Sequence, residues 1–473
     1  MPEKVDVIVI GAGSAGLAAV RQIEKTTDDY LLIDPGPLGT TCARVGCMPS
    51  KAFIKVAKDF HAAARLAEAG LVNTAPPASD IPAVLRHVRH LRDRFASGMV
   101  DVTRKLAGER LITGAARLLG PDRVLVNNRE IACSAIVLAT GSRPTIPREW
   151  QGFADRILTA DNFFEQQDLP RRIAVAGLGI IGMELGQALA RLGIEVTGFG
   201  RNPHICGIRD PEINRVAIES LDSGFSLYVG DEAKIAPSED ALRIRNGFHE
   251  IEVDAVIAAL GVTPNMDNLG LENLGIPLDQ RGMPPYDPYT TQIADLPVFI
   301  AGDANGCLPI LHEAQDEGFI AGRNAMAAGV QKYRRRTGLK IVFTDPQVAA
   351  AGRTLDKLDT DDIIIARSDF TEQARAIAEG RNVGLLHIYV DKTDARILGG
   401  EMVVPEAEHL AHLLAVAIHR DMTVHELLTM PFYHPTVEEG LRTALRDAAR
   451  QLTHIHKPDE LTLCESCPEL PLC

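Results

Sequence analysis

Short apolar runs that stop at glycine recur along the chain. Val5-Asp6-Val7-Ile8-Val9-Ile10 ends at Gly11, and the apolar-periodic stretch Leu17-Ala18-Ala19-Val20 follows within a turn. This order predicts strand, tight turn and helix. It returns at Ile173-Ala174-Val175-Ala176, where Gly177 opens a second turn and Met183 to Leu192 reads as a helix. Tyr30-Leu31-Leu32-Ile33 and Ile194-Glu195-Val196-Thr197-Gly198-Phe199 supply the next strand of each copy. Three more runs, Ile136 to Gly141, Val256 to Gly261 and Val298 to Gly302, are buried-looking strands that end in glycine. The pattern predicts an α/β chain with two doubly wound, Rossmann-like dinucleotide-binding folds.

The turns carry a chemical signature. In GAGSAG, Gly11, Gly13 and Gly16 stand where a tight turn, close approach of backbone to a pyrophosphate and helix-strand packing each need no side chain. Asp34 closes the following strand, at the spacing where a carboxylate accepts hydrogen bonds from ribose hydroxyls. GLGIIG repeats the signature with Gly177, Gly179 and Gly182. Two copies imply two nucleotides. Alignment on the first glycines puts Gly200 where Asp34 stands, with Arg201 next, and a guanidinium without a carboxylate favours the 2′-phosphate of NADP. Gly182 keeps the third glycine, so the choice between NAD and NADP stays open.

Cys42 and Cys47 lie in TCARVGCMPSK, shortly after the first signature. In a regular helix, Cα atoms five residues apart are about 8.5 Å from each other, whereas a disulfide needs less than about 7 Å. A redox-active disulfide here therefore requires a locally distorted helix, which Gly46 eases and Pro49 limits on its far side.

Bulk properties narrow the class. At 473 residues and 46% apolar content, two to four domains are expected. A net charge of -14 argues against nucleic acid or an anionic membrane as partner. Eight cysteines are too few for a secreted disulfide framework of this length and suit a reducing compartment. No basic and apolar leader precedes the first strand, and no apolar run reaches about 18 residues. A soluble, cytoplasmic protein is expected.

GAGSAG, TCARVGCMPSK, ATGSRP, GLGIIGMELG, VFIAGDANG, LHEAQDEG and HPTVEE follow one another in an order that resembles the FAD-dependent pyridine nucleotide-disulfide oxidoreductases, and most closely their dihydrolipoyl dehydrogenase branch. The likeness runs from residue 5 to about residue 450. It implies an FAD-binding domain at 1–147, an NAD(P)-binding domain at 148–268, a central segment at 269–342 that completes the first domain and an α+β dimerisation domain at 343–453; a tail at 454–473 lies outside it. Gly11, Gly13, Gly16, Asp34, Thr41, Lys51, Thr140, Gly141, Gly302 and Asp303 then face FAD, with Asp303 on the ribitol. Gly177, Gly179, Gly182, Glu184, Arg201 and Gly261 face the nicotinamide nucleotide.

The resemblance also assigns roles. Cys42 corresponds to the interchange thiol that attacks substrate, and Cys47 to the flavin-proximal thiol of the charge-transfer complex. Lys51 and Glu184 match the pair near flavin N5. His434 corresponds to the general acid/base, contributed by the other subunit of a homodimer, and Glu439 orients its imidazole. Thr436 and Glu439 also read as a capping box, which explains Glu439 without catalysis. The implied reaction moves two electrons from a dihydrolipoyl group to NAD through Cys42, Cys47 and FAD, with a lipoyl-carrier protein or a component of a 2-oxo acid dehydrogenase complex as partner. No resident metal is implied.

Three departures qualify this. Ala43-Arg44 replaces the apolar-Asn pair usual between the cysteines, Val262 stands where arginine is common, and Gly200-Arg201 unsettles nucleotide choice. A reductase running from NADPH to another disulfide, or to a metal ion, is the rival reading; a non-catalytic flavoprotein redox sensor is a more distant one. In the tail, Cys464, Cys467 and Cys473 suit a second redox dithiol, a metal site with His454 or His456, or incidental thiols. Cys133, Cys206 and Cys307 read as packing residues. The run Arg86, His87, Arg89, His90, Arg92 and Arg94 reads as the solvated face of an amphipathic helix.

Overall fold

The computed structural model of the chain describes residues 3–222, 224–247 and 249–453. The first sheet has seven strands. Its path runs Leu111–Thr113, Tyr30–Asp34, Glu3–Ile10, Arg129–Leu138, Arg123–Val126 and Ala116–Gly120, and Val298–Ile300 pairs with the far end of Arg129–Leu138. Val7, Val9, Leu32 and Val137 bury one face of this sheet and Ile8, Ile10, Ile33 and Leu138 the other. That two-sided burial is why these strands read as continuous apolar runs. Helix Ser14–Ile23 and helix Leu311–Ala325 pack together on one side, where Gly318 and Gly322 bring the second helix so close that added Cβ atoms would meet Ala15 O at 2.1 Å and Ala19 O at 2.4 Å.

The second sheet is wholly parallel, in the order Ser226–Val229, Glu195–Gly200, Arg172–Ala176, Ala255–Ala258, Ile157–Leu158. A three-stranded antiparallel meander, Lys234–Ser238, Ala241–Asn246 and His249–Val253, lies beside it. The last sheet is antiparallel throughout, in the order Leu339–Val342, Gln347–Gly352, Ile397–Val404, Leu385–Asp391, Ile363–Asp369. Helices Ala407–His419 and Glu439–Gln451 contribute Leu410, Leu414, Leu441 and Leu445 to its core. The fold class is therefore the expected one, two Rossmann-like units followed by an α+β domain.

A short ribbon joins the first two units. Gly141 follows strand Arg129–Leu138 and Gly261 follows strand Ala255–Ala258, each with a positive φ of +70° and +95° that glycine adopts without strain. The residues after them, Ser142–Pro144 and Val262–Pro264, pair antiparallel. Val262 is half-buried in this ribbon opposite Pro144.

Helix Ile81–Ala107 begins with Asp80 capping Ala83 N at 3.0 Å. Its basic residues divide. Arg86, His87, His90 and Arg94 are exposed, as a solvated face requires. Arg89 and Arg92 are half-buried and turn toward the second unit, Arg89 donating to Phe164 O at 3.1 Å and to Gln166 O at 2.5 Å while Arg92 pairs with Glu165. Those two positions are corrected from solvated charge to ties with the second unit, because carbonyls and a carboxylate of residues 164–166 meet their guanidinium groups.

Candidate active site

The two cysteines stand on either side of a break between helices. Thr41–Arg44 forms one turn, Val45 and Gly46 leave helical geometry, and Cys47 starts the 22-residue helix Cys47–Glu68. Val45 N and Gly46 N both donate to Thr41 O, at 3.0 and 2.8 Å, so the chain gains a residue over a regular turn here. A Cβ on Gly46 would come within 3.2 Å of Thr41 O and 3.4 Å of Cys42 Cα. Pro49 falls in the first turn of the second helix, where its missing N–H costs nothing. The expected distortion is thus a complete interruption.

Cys42 is half-buried and Cys47 exposed, and both are free thiols. The Cys42 thiol donates a hydrogen bond to Cys47, and with the Lys51 ammonium one turn along the helix this draws Cys47 down to about 6. Position at the N-terminus of a long helix acts in the same direction. Cys42 moves the other way, raised first by that shared hydrogen bond and then by burial. The shared hydrogen bond thus favours the proton on Cys42 and the charge on Cys47.

Lys51 Nζ reaches both oxygens of Glu184, at 3.0 and 2.8 Å, and lies 4.7 Å from the centre of the Phe343 ring. Glu184 comes from helix Ile180–Arg191 of the second unit, is 3% exposed, and also accepts Phe343 N at 3.0 Å. One side chain from each unit and one backbone amide from the C-terminal region thus meet beside the redox helix.

At the glycine turns, two kinds of glycine separate. A Cβ on Gly11 would sit 2.1 Å from Ala139 O, and one on Gly16 1.8 Å from Gly11 O; Gly177 and Gly182 repeat this with Ala259 O at 2.2 Å and Gly177 O at 1.9 Å. Packing alone demands these four. Gly13 and Gly179 have ordinary φ of -78° and -80°, and a Cβ there would meet nothing within 4 Å. No described residue excludes a side chain at either place, whereas a pyrophosphate held at the helix N-terminus would. Both turns therefore fit a dinucleotide.

Asp34 is held by the turn it faces: Oδ2 accepts Ala12 N at 2.7 Å and Oδ1 accepts Gly36 N at 2.7 Å. Two bonds leave lone pairs for ribose hydroxyls. Asp303 follows Gly302, whose amide donates to the buried Glu317 at 2.8 Å. Burial pushes the Asp303 carboxyl upward while Ser142 Oγ donates to it at 2.8 Å. Thr140 Oγ1 faces Met266 Sδ at 3.5 Å, and the Thr140 carbonyl accepts Asn265 Nδ2 at 3.1 Å. Thr41 is exposed at the start of its turn. Arg201 is exposed at the end of strand Glu195–Gly200, with no ion pair or hydrogen bond among the described residues.

His434 Nδ1 lies 3.0 and 3.2 Å from the Glu439 carboxylate oxygens, and the imidazole is 71% exposed. The capping box is half made. Glu439 accepts Thr436 N at 3.3 Å, but Thr436 Oγ1 donates to Tyr433 O at 2.9 Å instead of accepting from the helix. Glu439 thus serves the helix start and the histidine together. Among the described residues, no hydrogen bond links His434 or Glu439 to Cys42 or Cys47 in the same chain.

Cys133 and Cys206 are buried packing residues, as expected, but Cys307 is exposed. It lies in the bend after Gly302–Asn305, where Cys307 N donates to Asn305 Oδ1 at 2.8 Å. Cys464, Cys467, Cys473, His454 and His456 lie outside the described residues. No described helix is long and apolar enough to cross a membrane.

The sequence profile of the pyridine nucleotide-disulphide oxidoreductases matches residues 5–318, and the profile of their dimerisation domain matches residues 339–445. Among curated relatives, a dihydrolipoyl dehydrogenase of Pseudomonas aeruginosa is 27% identical over 96% of this chain and 99% of its own length. A mercuric reductase of Staphylococcus aureus is also 27% identical, over 93% of this chain and 81% of its own. Among solved structures, LpdA from Mycobacterium tuberculosis superposes with a TM-score of 0.80 at 26% identity, covering 93% of this chain and 99% of that one. The flavoprotein disulfide reductase RclA from Escherichia coli, as its Cu(II) complex, has a TM-score of 0.80 at 19% identity over 94% of this chain and 99% of its own, a likeness of fold.

Proposed function

Because the chain belongs to the pyridine nucleotide-disulphide oxidoreductases, which use FAD and NAD(P), we propose that it acts as a dihydrolipoyl dehydrogenase, oxidising a dithiol at Cys42 and Cys47 and passing the electron pair to a nicotinamide nucleotide. The observation that supports this reading best is the Cys42–Cys47 pair itself, two free thiols across a break between helices with the Lys51–Glu184 ion pair one turn away. Bound FAD supplies a two-electron carrier between sulfur and nicotinamide.

The residues divide the work. In the oxidised site the substrate thiolate attacks Cys42 Sγ, forming a mixed disulfide and releasing Cys47 as thiolate. Cys47 is the better leaving sulfur because Lys51 and the helix N-terminus favour its charged form. The second substrate thiol must lose a proton to displace Cys42, and His434 of a second subunit, held by Glu439, takes that proton. Gly13 and Asp34 would hold FAD at its pyrophosphate and ribose, and Asp303 at its ribitol. Gly179, Gly261 and Arg201 would hold the nicotinamide nucleotide. The partner proposed is a lipoyl-carrier protein or 2-oxo acid dehydrogenase component, and the assembly a homodimer through the C-terminal domain.

A second reading is reduction of a disulfide or metal ion by NADPH, and the mercuric reductase relative supports its metal-ion arm. Arg201 points the same way on the nucleotide. A steady-state matrix of NADH, NADPH, NAD⁺ and NADP⁺ against lipoamide, dihydrolipoamide, glutathione disulfide and Hg(II) separates them. Dihydrolipoamide oxidation dominating the matrix supports the proposal. Turnover confined to NADPH with glutathione disulfide or Hg(II) overturns it.

A further inference from the structure

Residues 201–210 join strand Glu195–Gly200 to helix Pro211–Asp222. The loop starts at Arg201, in the nucleotide register, and its middle is tied to the second glycine turn: Cys206 N donates to Leu178 O at 2.8 Å, and Leu178 lies between Gly177 and Gly179. Asn214 closes the same part, accepting Ile205 N and donating to Pro203 O, both at 3.0 Å.

The far end of the loop is held by a different domain. Lys340 Nζ donates to Gly207 O at 2.8 Å, and Arg209 N donates to Glu401 Oε1 at 2.6 Å. Asp210 Oδ2 accepts His387 Nδ1 at 2.7 Å and faces Tyr389 OH at 3.1 Å; its Oδ1 accepts Glu212 N and Ile213 N at the start of the next helix. Tyr389 OH also lies 3.0 Å from Glu401 Oε2, which accepts Leu355 N at 3.2 Å. Asp210, His387, Tyr389 and Glu401 are 2, 4, 0 and 0% exposed.

Two carboxylates buried at a domain seam are expensive, and apolar packing would hold the seam at least as well. A buried polar network fixes geometry instead, since its donors meet the carboxylates from set directions: Asp210 accepts from His387, Glu212 N and Ile213 N, and the one Tyr389 hydroxyl proton is shared between Asp210 and Glu401. What this network fixes is the end of the loop that carries Arg201 and touches the glycine turn. None of its four members lies in the redox site.

We propose that Asp210, His387, Tyr389 and Glu401 are positioning residues for the nicotinamide nucleotide, through which the C-terminal domain sets the pose of loop 201–210 and so the affinity of the second glycine turn. This rests on the reading of the second fold as the nicotinamide site. By reciprocity, bound nucleotide tightens the seam by the factor through which the seam tightens nucleotide.

The test uses the full FAD-loaded chain. Tyr389→Phe removes one hydroxyl and little volume, and His387→Gln keeps a side-chain donor while changing its reach. Both should raise the nucleotide KM, and the Kd of NAD⁺ or NADP⁺ by calorimetry, about tenfold, with kcat at saturating nucleotide and FAD content unchanged. The double variant should fall short of the product of the two single effects, as members of one network do. Nucleotide KM and Kd within twofold of wild type in both variants, with normal FAD content, would overturn the proposal, as would a loss confined to kcat. Failure of wild-type holoenzyme to bind either nucleotide marks the functional reading itself as wrong and removes the proposal with it.

Discussion

Lys51 Nζ and Glu184 Oε2 lie 2.8 Å apart, 133 residues from each other in sequence, and close the seam between the redox helix and the second dinucleotide fold. Glu184 is buried at 3% exposure while Lys51 keeps 34% of its side chain in solvent, so the two are unequal partners. Lys51→Met leaves the carboxylate with Phe343 N as its only donor among the described residues. A cost near the lower end of the range for a buried charge stripped of its partner, about 3 kcal/mol, is expected. Glu184→Gln keeps an acceptor for Phe343 N and should cost about 1–2 kcal/mol. Denaturant unfolding of the two variants checks the order; an equal or reversed cost would show that burial of Glu184 is not what makes the pair matter.

The Cys42 hydrogen bond is the largest influence lowering Cys47, followed among the lowering effects by the charge of Lys51. In reduced enzyme, alkylation of Cys47 by iodoacetamide should therefore rise with pH through a midpoint near 6, because the thiolate reacts and forms above that pH. Cys42→Ala removes the donor and should move the midpoint upward, toward the ordinary thiol range of about 8.5. Peptide mass spectrometry across pH reads both. An unchanged midpoint in Cys42→Ala would reassign the lowered value to the helix terminus and Lys51.

How far such features could be read in advance depends on sequence distance and on what forces a residue's identity. Gly11 and Gly177 were legible because backbone crowding and a positive φ admit no other residue, and the flanking apolar runs place them on strand ends. The cysteine pair was legible from its neighbours. Its interruption was only partly so, since a bond from Gly46 N back to Thr41 O leaves no mark beyond the glycine. Lys51 and Glu184 needed the family resemblance, as nothing local tells a lysine that its partner comes from another fold. Asp210 and His387, 177 residues apart, were missed: the histidine and Tyr389 sit in an apolar strand that reads as packing. Arg89 and Arg92 were misread because charge pattern shows a polar helix face but not the carbonyls that meet Arg89 or the Glu165 carboxylate that meets Arg92 from a second unit. Cys307 was misread because a loop thiol carries no periodicity from which exposure follows.

Thr40, next to the redox turn, has φ +59° and ψ +145°, a region that suits glycine and strains a β-branched residue. Its hydroxyl gives something back by accepting Ala43 N at 3.3 Å. Thr40→Gly trades a cap worth a few tenths of a kcal/mol against glycine for relief of about 1–3 kcal/mol of strain. A net stabilisation of about 1–2 kcal/mol is expected in denaturant unfolding. Destabilisation would mean that the cap and the side-chain packing outweigh the backbone.

His434 is paired with Glu439 yet 71% exposed, and no hydrogen bond connects it with Cys42 of its own chain. That exposure supports the proposal that the imidazole serves the cysteines of a second subunit, and the family's dimerisation profile covers this region to residue 445. If the proton acceptor for one chain's cysteines comes from the other chain, Cys47→Ser and His434→Ala homodimers are each inactive for complementary reasons. A heterodimer of the two variants contains one site with intact Cys42, Cys47 and His434. Mixed and exchanged chains should recover about one quarter of wild-type turnover per total chain if exchange is statistical and complete, since half the dimers are mixed and each has one working site of two. Glu439→Gln in the His434-bearing chain should reduce that recovery by about 10-fold or more, in line with loss of orientation and charge support for a general base. Native mass spectrometry verifies exchange; persistent inactivity in verified heterodimers would place the acid/base elsewhere.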